Sequence, residues 1–293
     1  MKPKILLFGG WGWSATSPLI YTLQRNAKYA HFGYSKTFRY LGVTNNKHRK
    51  IYKQICDGTW ENFQKGKPGT HHMNLTVDLE PLRDFSLDHL HKLMSGDPTV
   101  AKYMEFYHAL HDHVITQGYK SVGDGCMGRS YDKEYSKTLK SEFDVKVLFI
   151  ARDPVRRAFS NYLTKLNRNH QPRELKFYNY IHAVENFRKS YGESNVYITV
   201  MEELWEGDGA RGLSQFLDHP IDNLWKNLYA PDKGHLVKFD KDVPCQAFGQ
   251  ESFELTPETY QYYKNKYQYI YDLWEDEFGS LPLHWGKPIK YKA

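Results

Sequence analysis

Cysteine is scarce in this chain: its 293 residues hold only Cys56, Cys126 and Cys245. Three widely spaced cysteines indicate neither a disulfide framework nor a CxxC metal site. A reducing compartment is the default for such a chain, and a cytoplasmic location is expected. Long apolar runs are missing as well. No stretch approaches 18 apolar residues, so no membrane-spanning helix is expected. The opening "MKPKILLFGG" has lysines and a short apolar run, but Gly and Trp follow it instead of a cleavage site, so it reads as a first strand and not as a signal peptide. There is no block of Lys and Arg. The 40 basic and 34 acidic residues are interspersed and give a net charge of +6. That excess is too dilute for a nucleic-acid surface, and it fits an anionic ligand.

What the chain does have is an ordinary globular balance, 40% hydrophobic and 25% charged, with aromatics at 16% including 23 tyrosines. The length suits one domain with a full core. Tyrosines and tryptophans in clefts suit sugar faces and adenine rings, although packing accounts for most of them.

Apolar runs that read as strands alternate with helical patterns. Strand candidates are Lys4 to Gly9, Tyr119 to Asp124, Val145 to Ala151 and Asn195 to Val200. Thr16 to Asn26 reads as a helix. Asp97 and Pro98 are placed to cap and begin another, with an apolar stripe of Val100, Tyr103, Met104, Tyr107, His111 and Val114 and a stop at Gly118. Thr256, Pro257 and Glu258 open a last helix that runs to about Phe278, with Gly279 as its stop. This alternation predicts an α/β fold: a central parallel sheet flanked by helices, in one domain over residues 1–293. Residues 42–95 are less regular. They read as an insertion over the sheet edge, either part of an acceptor pocket or a plain surface excursion.

The segment Gly10 to Ser17, "GWGWSATS", follows a strand and opens a helix. Its spacing is that of the phosphate loop G-x-x-x-x-G-K-[ST], with Ala15 for the second glycine and Thr16 for the lysine. Main-chain amides of Gly12, Trp13, Ser14, Ala15, Thr16 and Ser17, at a helix N-terminus, favour an anion. The missing lysine argues against a nucleoside triphosphate, which needs that charge. A terminal sulfuryl group carries one negative charge fewer and needs no metal clamp. A second segment, "VLFIARDPVRRAFSNYL", runs from an apolar strand into Arg152. Asp153 then caps a helix that begins at Pro154, with Ser160 eight residues after Arg152. A guanidinium at a strand's carboxyl end is where open α/β sheets bind ligands, and it can grip a phosphate with two parallel hydrogen bonds. Taken alone, a phosphate site and a capped helix with a solvated basic face of Arg156 and Arg157 are equal readings.

"RDPVRRAFSNYL" resembles the 3′-phosphate-binding segment of sulfotransferases that use 3′-phosphoadenosine 5′-phosphosulfate: Arg-[Asn/Asp]-Pro, a later Arg, then Ser and an aromatic. The first loop resembles that family's phosphosulfate loop at Gly10, Ser14, Thr16 and Ser17. It departs from it at Trp13, which stands where the family has a basic residue, and at Ala15, which replaces a glycine. Weaker likenesses follow in order at "YKSVGDGCMGRSYDKEY", at "VYITVMEELWEG", where Glu203 and Leu204 fit the family's Glu-Asp-Leu, and at "LTPETYQYYKNKY". The resemblance implies a P-loop-like, three-layer fold. It implies sulfuryl transfer to a hydroxyl acceptor, a small molecule or saccharide, with adenosine 3′,5′-bisphosphate as product and no metal. It also implies that Arg152 and Ser160 hold the 3′-phosphate. Lys36, in "SKTFRYL", becomes the candidate for the cation missing at Trp13, or else an exposed surface lysine.

Transfer to a hydroxyl needs a base. Asp124 ends a strand where carbohydrate-type members keep a catalytic glutamate, although it can equally cap the turn at Gly125. Histidine is the rival: His108, His111 and His113 cluster on one helix, and His71 and His72 lie in a loop. The spacing of "HALHDH" also raises a metal site, but no carboxylate or cysteine pair completes one. The alternative functions are a P-loop kinase-like phosphotransferase, which lacks its lysine here, and a non-catalytic nucleotide- or sugar-binding protein, which Trp13 would suit.

Overall fold

The run "KILLFGG" has a solvent-facing first residue and six buried ones, as a strand inside a parallel sheet should. It is β1 (Lys4–Gly10) in the computed structural model, which describes residues 2–10, 16–34, 78, 80–97, 99–125, 133–159, 180–206, 209–221, 256–282 and 285–287. Four more strands join it: β2 (Ala30–His31), β3 (Ser121–Gly125), β4 (Asp144–Ala151) and β5 (Val196–Val200). All pair in parallel, in the order β2-β3-β1-β4-β5. The expected α/β architecture is therefore present. β3 begins two residues later than the sequence reading placed it and includes Gly125, and β5 begins at Val196. β2 is too short to carry a sequence signal.

Helices flank the sheet. They are α1 (Thr16–Tyr21), α2 (Leu87–Met94), α3 (Val100–Thr116), α4 (Lys133–Glu142), α5 (154–159), α6 (Tyr180–Tyr191), α7 (Met201–Glu206), α8 (Gly209–Leu217), α9 (Pro257–Lys266) and α10 (Gln268–Phe278). The helix read over Thr16 to Asn26 is α-helical only to Tyr21 and then widens into a π-helical turn, Thr22–Asn26. α3 is not capped by Asp97. Its N-cap is Thr99, whose hydroxyl accepts from the Lys102 amide at 3.3 Å, while the Asp97 carbonyl accepts from the Lys102 ammonium at 3.2 Å. The buried stripe of α3 includes Tyr103, Met104, Tyr107 and Val114 as expected, but Phe106 and Leu110 complete it, and His111 lies at its edge. Within residues 42–95, the described part packs inward: Leu82, Phe85, Leu90 and Leu93 all belong to the core. None of the described helices is long and apolar enough to cross a membrane.

The helix expected from Thr256 to Phe278 is two. The Thr256 cap and the left-handed Gly279 stop (φ 77°) are as read, but Tyr267 (φ −104°, ψ 14°) interrupts the run. A tertiary contact accompanies the break. Tyr260 and Tyr271 both donate to the same carboxylate oxygen of Asp153, at 2.6 and 3.0 Å. Eleven residues of unbroken helix would separate their Cα atoms by about 16 Å, whereas here both hydroxyls meet at one oxygen. The break at Tyr267 lets them converge.

His31 shows how a buried titratable group is held neutral. Its Nδ1 accepts from the Gly33 amide at 3.1 Å, so Nε2 carries the proton and donates to the Asp78 carbonyl at 2.8 Å. Burial lowers its pKa from 6.5 to about 4, against the opposing pull of Asp78. A depressed folded-state pKa contributes stability that is present above 6.5 and lost as pH falls toward 4. The gap corresponds to about 3 kcal/mol. Denaturant midpoints should fall across that window, and His31→Gln should flatten the profile. An unchanged slope in the variant would show that other groups set it.

Candidate functional site

Strand order places the site. The chain leaves β1 toward β2 on one side of the sheet and leaves β4 toward β5 on the other, although β1 and β4 are neighbours. The region beyond their carboxyl ends is the topological switch point, where open α/β sheets bind ligands. β1 and β4 run in register from Lys4 opposite Asp144 to Gly10 opposite Ile150. The loop at Gly10 and the segment at Arg152 therefore leave adjacent strands at the same level. β3 lies on the other side of β1, with Asp124 opposite Leu7.

Only glycine fits at the end of β1. Gly10 has φ +138°, and a Cβ there would stand 2.7 Å from Ile150 Cγ2 and 2.8 Å from the Ile150 carbonyl. The same Cβ position lies 3.3 Å from the Thr16 methyl, so the first turn of α1 comes back against the end of the strand it follows. Gly12, Trp13, Ser14 and Ala15 lie outside the described residues, as do Lys36 and Ser160. Ser17 is placed within α1.

The second segment is built as its sequence suggests at its start. Asp153 Oδ1 accepts from the Arg156 amide at 3.0 Å, the expected N-cap of α5. The helix does not present a solvated basic face, however. Arg152, Arg156 and Arg157 are 4%, 6% and 3% exposed. Around them stand Asp153 and Glu202, both buried. Glu202 Oε1 accepts from the Asp153 amide at 3.2 Å, and Oε2 accepts from the Trp285 indole at 3.1 Å. Arg156 Nη1 lies 4.0 Å from Glu202, and Nη2 donates to the Lys287 carbonyl at 3.3 Å. The Tyr180 hydroxyl donates to the Arg152 carbonyl at 3.3 Å and takes part in a hydrogen bond with the Arg157 side chain. Burial, with Asp153 adding repulsion, raises the Glu202 carboxyl above its ordinary range, and Arg152 opposes the shift. Burial lowers the Arg157 guanidinium, and Tyr180 opposes it. In "MEELW" the buried acid is Glu202 and not Glu203, which faces solvent, whereas Leu204 is buried.

Asp124 is wholly buried. Its Oδ2 accepts from the Tyr103 hydroxyl at 2.7 Å, and Tyr103 in turn accepts from Tyr135 at 3.0 Å. The histidines of α3 do not share a centre. His108 pairs with Glu142 at 2.8 Å and stacks on Phe143, next to the amino-terminal end of β4. His113 donates to the Pro81 carbonyl at 2.7 Å, and His111 sits beside Asp112. His71 and His72 lie outside the described residues. Among the described residues no group of three or more His, Cys, Asp or Glu is arranged to hold a metal. A cavity of about 370 Å³, lined in part by Lys2, Lys140, Phe143 and Asp144, lies at the opposite edge of the sheet, where strands begin.

The five-stranded parallel sheet, its flanking helices and its switch point define a P-loop-like α/β fold of the kind sulfotransferases have. Among solved structures the chain is similar to the sulfotransferase domain from the curacin biosynthetic pathway, at 12% identity over 96% of this chain and 99% of that one, TM-score 0.50. It is also similar to a sulfotransferase from Alicyclobacillus acidocaldarius (13% identity, 98% and 100% covered, TM-score 0.48). A third is the sulfotransferase domain from the Synechococcus PCC 7002 olefin synthase (15%, 80% and 81%, TM-score 0.43). At such identities the likeness is one of fold, and the first comparison carries it. The chain matches no protein-family model and no curated protein sequence.

Proposed function

We propose that the chain transfers a sulfuryl group from 3′-phosphoadenosine 5′-phosphosulfate to a hydroxyl acceptor, with a saccharide as the favoured class. One observation carries the reading: the two segments that resemble the family's phosphate-binding elements leave the neighbouring strands β1 and β4 at the switch point. A nucleotide with anionic groups on both sides of its ribose needs two such sites close together, and adjacent strands lie about 4.8 Å apart. When bound, the donor supplies the electrophilic sulfur. Residues 12–17 are assigned its 5′-phosphosulfate, Arg152 and Ser160 its 3′-phosphate. Buried guanidiniums suit a phosphate, since the low-dielectric setting strengthens the contact. Asp124 is assigned the acceptor's proton, and Lys36 the cation that the first loop lacks. The saccharide preference rests on the aromatic content and on the Asp153 form of the motif.

The test is ligand choice. Adenosine 3′,5′-bisphosphate at one hundred times its Kd should stabilise the fold by about 2.7 kcal/mol, and ATP with magnesium should do less. Arg152→Ala should fold and bind the bisphosphate at least about tenfold more weakly, since each charge-assisted hydrogen bond contributes about 1.5–3 kcal/mol. Greater stabilisation by ATP–magnesium would favour the phosphotransferase reading. Tight binding with no turnover on any hydroxyl acceptor would favour a binding protein.

A further inference from the structure

We propose that Tyr260 and Tyr271 are positioning residues for the anion site at Arg152, so that anion affinity at the switch point depends on the docked C-terminal helix pair α9–α10. The inference rests on the reading of Arg152 given above and extends it to residues more than 100 positions away in the chain.

The Arg152–Asp153 peptide has no slack. Tyr180 holds the Arg152 carbonyl, and Glu202 holds the Asp153 amide. The Asp153 carbonyl accepts from the Arg157 amide at 2.9 Å. Asp153 Oδ1 is committed to the cap of α5. What remains is Oδ2, on which three donors from the C-terminal part of the chain converge: Tyr260 at 2.6 Å, Tyr271 at 3.0 Å and the Gly286 amide at 3.2 Å. The two hydroxyls lie 3.4 Å apart. Both tyrosines keep their protons at any working pH, because burial and the neighbouring Asp153 charge push their pKa values upward. They are therefore permanent donors. Trp285 and the Lys287 carbonyl extend the same clamp to Glu202 and Arg156.

This arrangement fixes the main chain from which the Arg152 side chain extends. A guanidinium reaches its ligand through several rotatable bonds, so its placement is only as good as that of its own peptide. Displacements of about 1 Å at such groups have large functional effects. The coupling is reciprocal: if docking of α9–α10 raises anion affinity, anion binding must strengthen docking by the same factor.

The experiment uses the full chain with Tyr260→Phe, Tyr271→Phe and the double variant, which retain both rings and remove only the hydroxyls. Titration with adenosine 3′,5′-bisphosphate, well below the melting temperature, should give a Kd about tenfold higher in the double variant. In the native chain the same ligand should slow amide hydrogen exchange in residues 257–278, and in Arg152→Ala it should not. A lowered melting temperature with unchanged Kd would make the tyrosines purely structural and overturn the inference. If the double variant fails to fold, the single variants and the native exchange decide, and ligand-independent exchange in 257–278 overturns it. Loss of affinity in Arg152→Ala with none in the tyrosine variants removes only the positioning role. An Arg152→Ala variant that binds normally removes the reading of Arg152 and this inference together.

Discussion

Asp124→Asn is expected to lower turnover by about 10²–10⁴-fold, the usual contribution of a general base. The substitution keeps the shape of the side chain and an oxygen that can still accept from the Tyr103 hydroxyl, now at 2.7 Å. Packing around Tyr103 and Tyr135 should therefore survive. Affinity for adenosine 3′,5′-bisphosphate should stay near wild type, because Asp124 lies in β3 while the proposed phosphate groups lie beyond β1 and β4. Single-turnover kinetics with a true acceptor would separate the effects. Normal turnover with reduced stability would make Asp124 an anchor for Tyr103 and remove it from the chemistry. His108 is a poorer rival than its sequence suggests, since its partners Glu142 and Phe143 precede β4, on the side away from the switch point.

Asp153→Ala should cost about 3–5 kcal/mol of stability, because several buried donors lose one shared acceptor at about 1–3 kcal/mol each. The carboxylate accepts from the Arg156 amide, two tyrosine hydroxyls and the Gly286 amide. Alanine leaves these donors without their acceptor, and each buried orphan costs about 1–3 kcal/mol unless it relaxes. It also removes the cap of α5. Urea denaturation would read the loss as a lowered midpoint at similar slope. A cost below about 1 kcal/mol would mean that the C-terminal helices hold on without this carboxylate.

Fold class was legible because β1 and β4 are continuous apolar runs ending in turn chemistry that names its own geometry. The Arg152–Asp153–Pro154 junction is the clearest case, since proline fixes the first helical position and aspartate the cap before it. Local patterns could not show what covers a surface. Arg156 and Arg157 look like a solvated face by spacing, yet elements from far along the chain bury them. The break at Tyr267 has no glycine or proline to announce it, and the tyrosines on either side of it share a carboxylate more than 100 residues earlier. Glu202 and Glu203 are alike by pattern, and only the turn of α7 decides which one faces inward. Likewise the sequence reading placed the cap of α3 at Asp97, and the structure places it at Thr99.

The three donors on Asp153 Oδ2 lie 107, 118 and 133 residues further along the chain. All three follow β5 in the chain. During synthesis, which adds about 5–20 residues per second and lets N-terminal parts organise first, the sheet strands through β5 can assemble while Arg152 and Asp153 wait. The proposed anion site in the middle of the sequence gains its last contact only when residue 287 has emerged and Lys287 can offer its carbonyl to Arg156. A chain stopped before the C-terminal helix pair is thus expected to form the sheet without the hydrogen bonds that Tyr260, Tyr271 and Gly286 give Asp153.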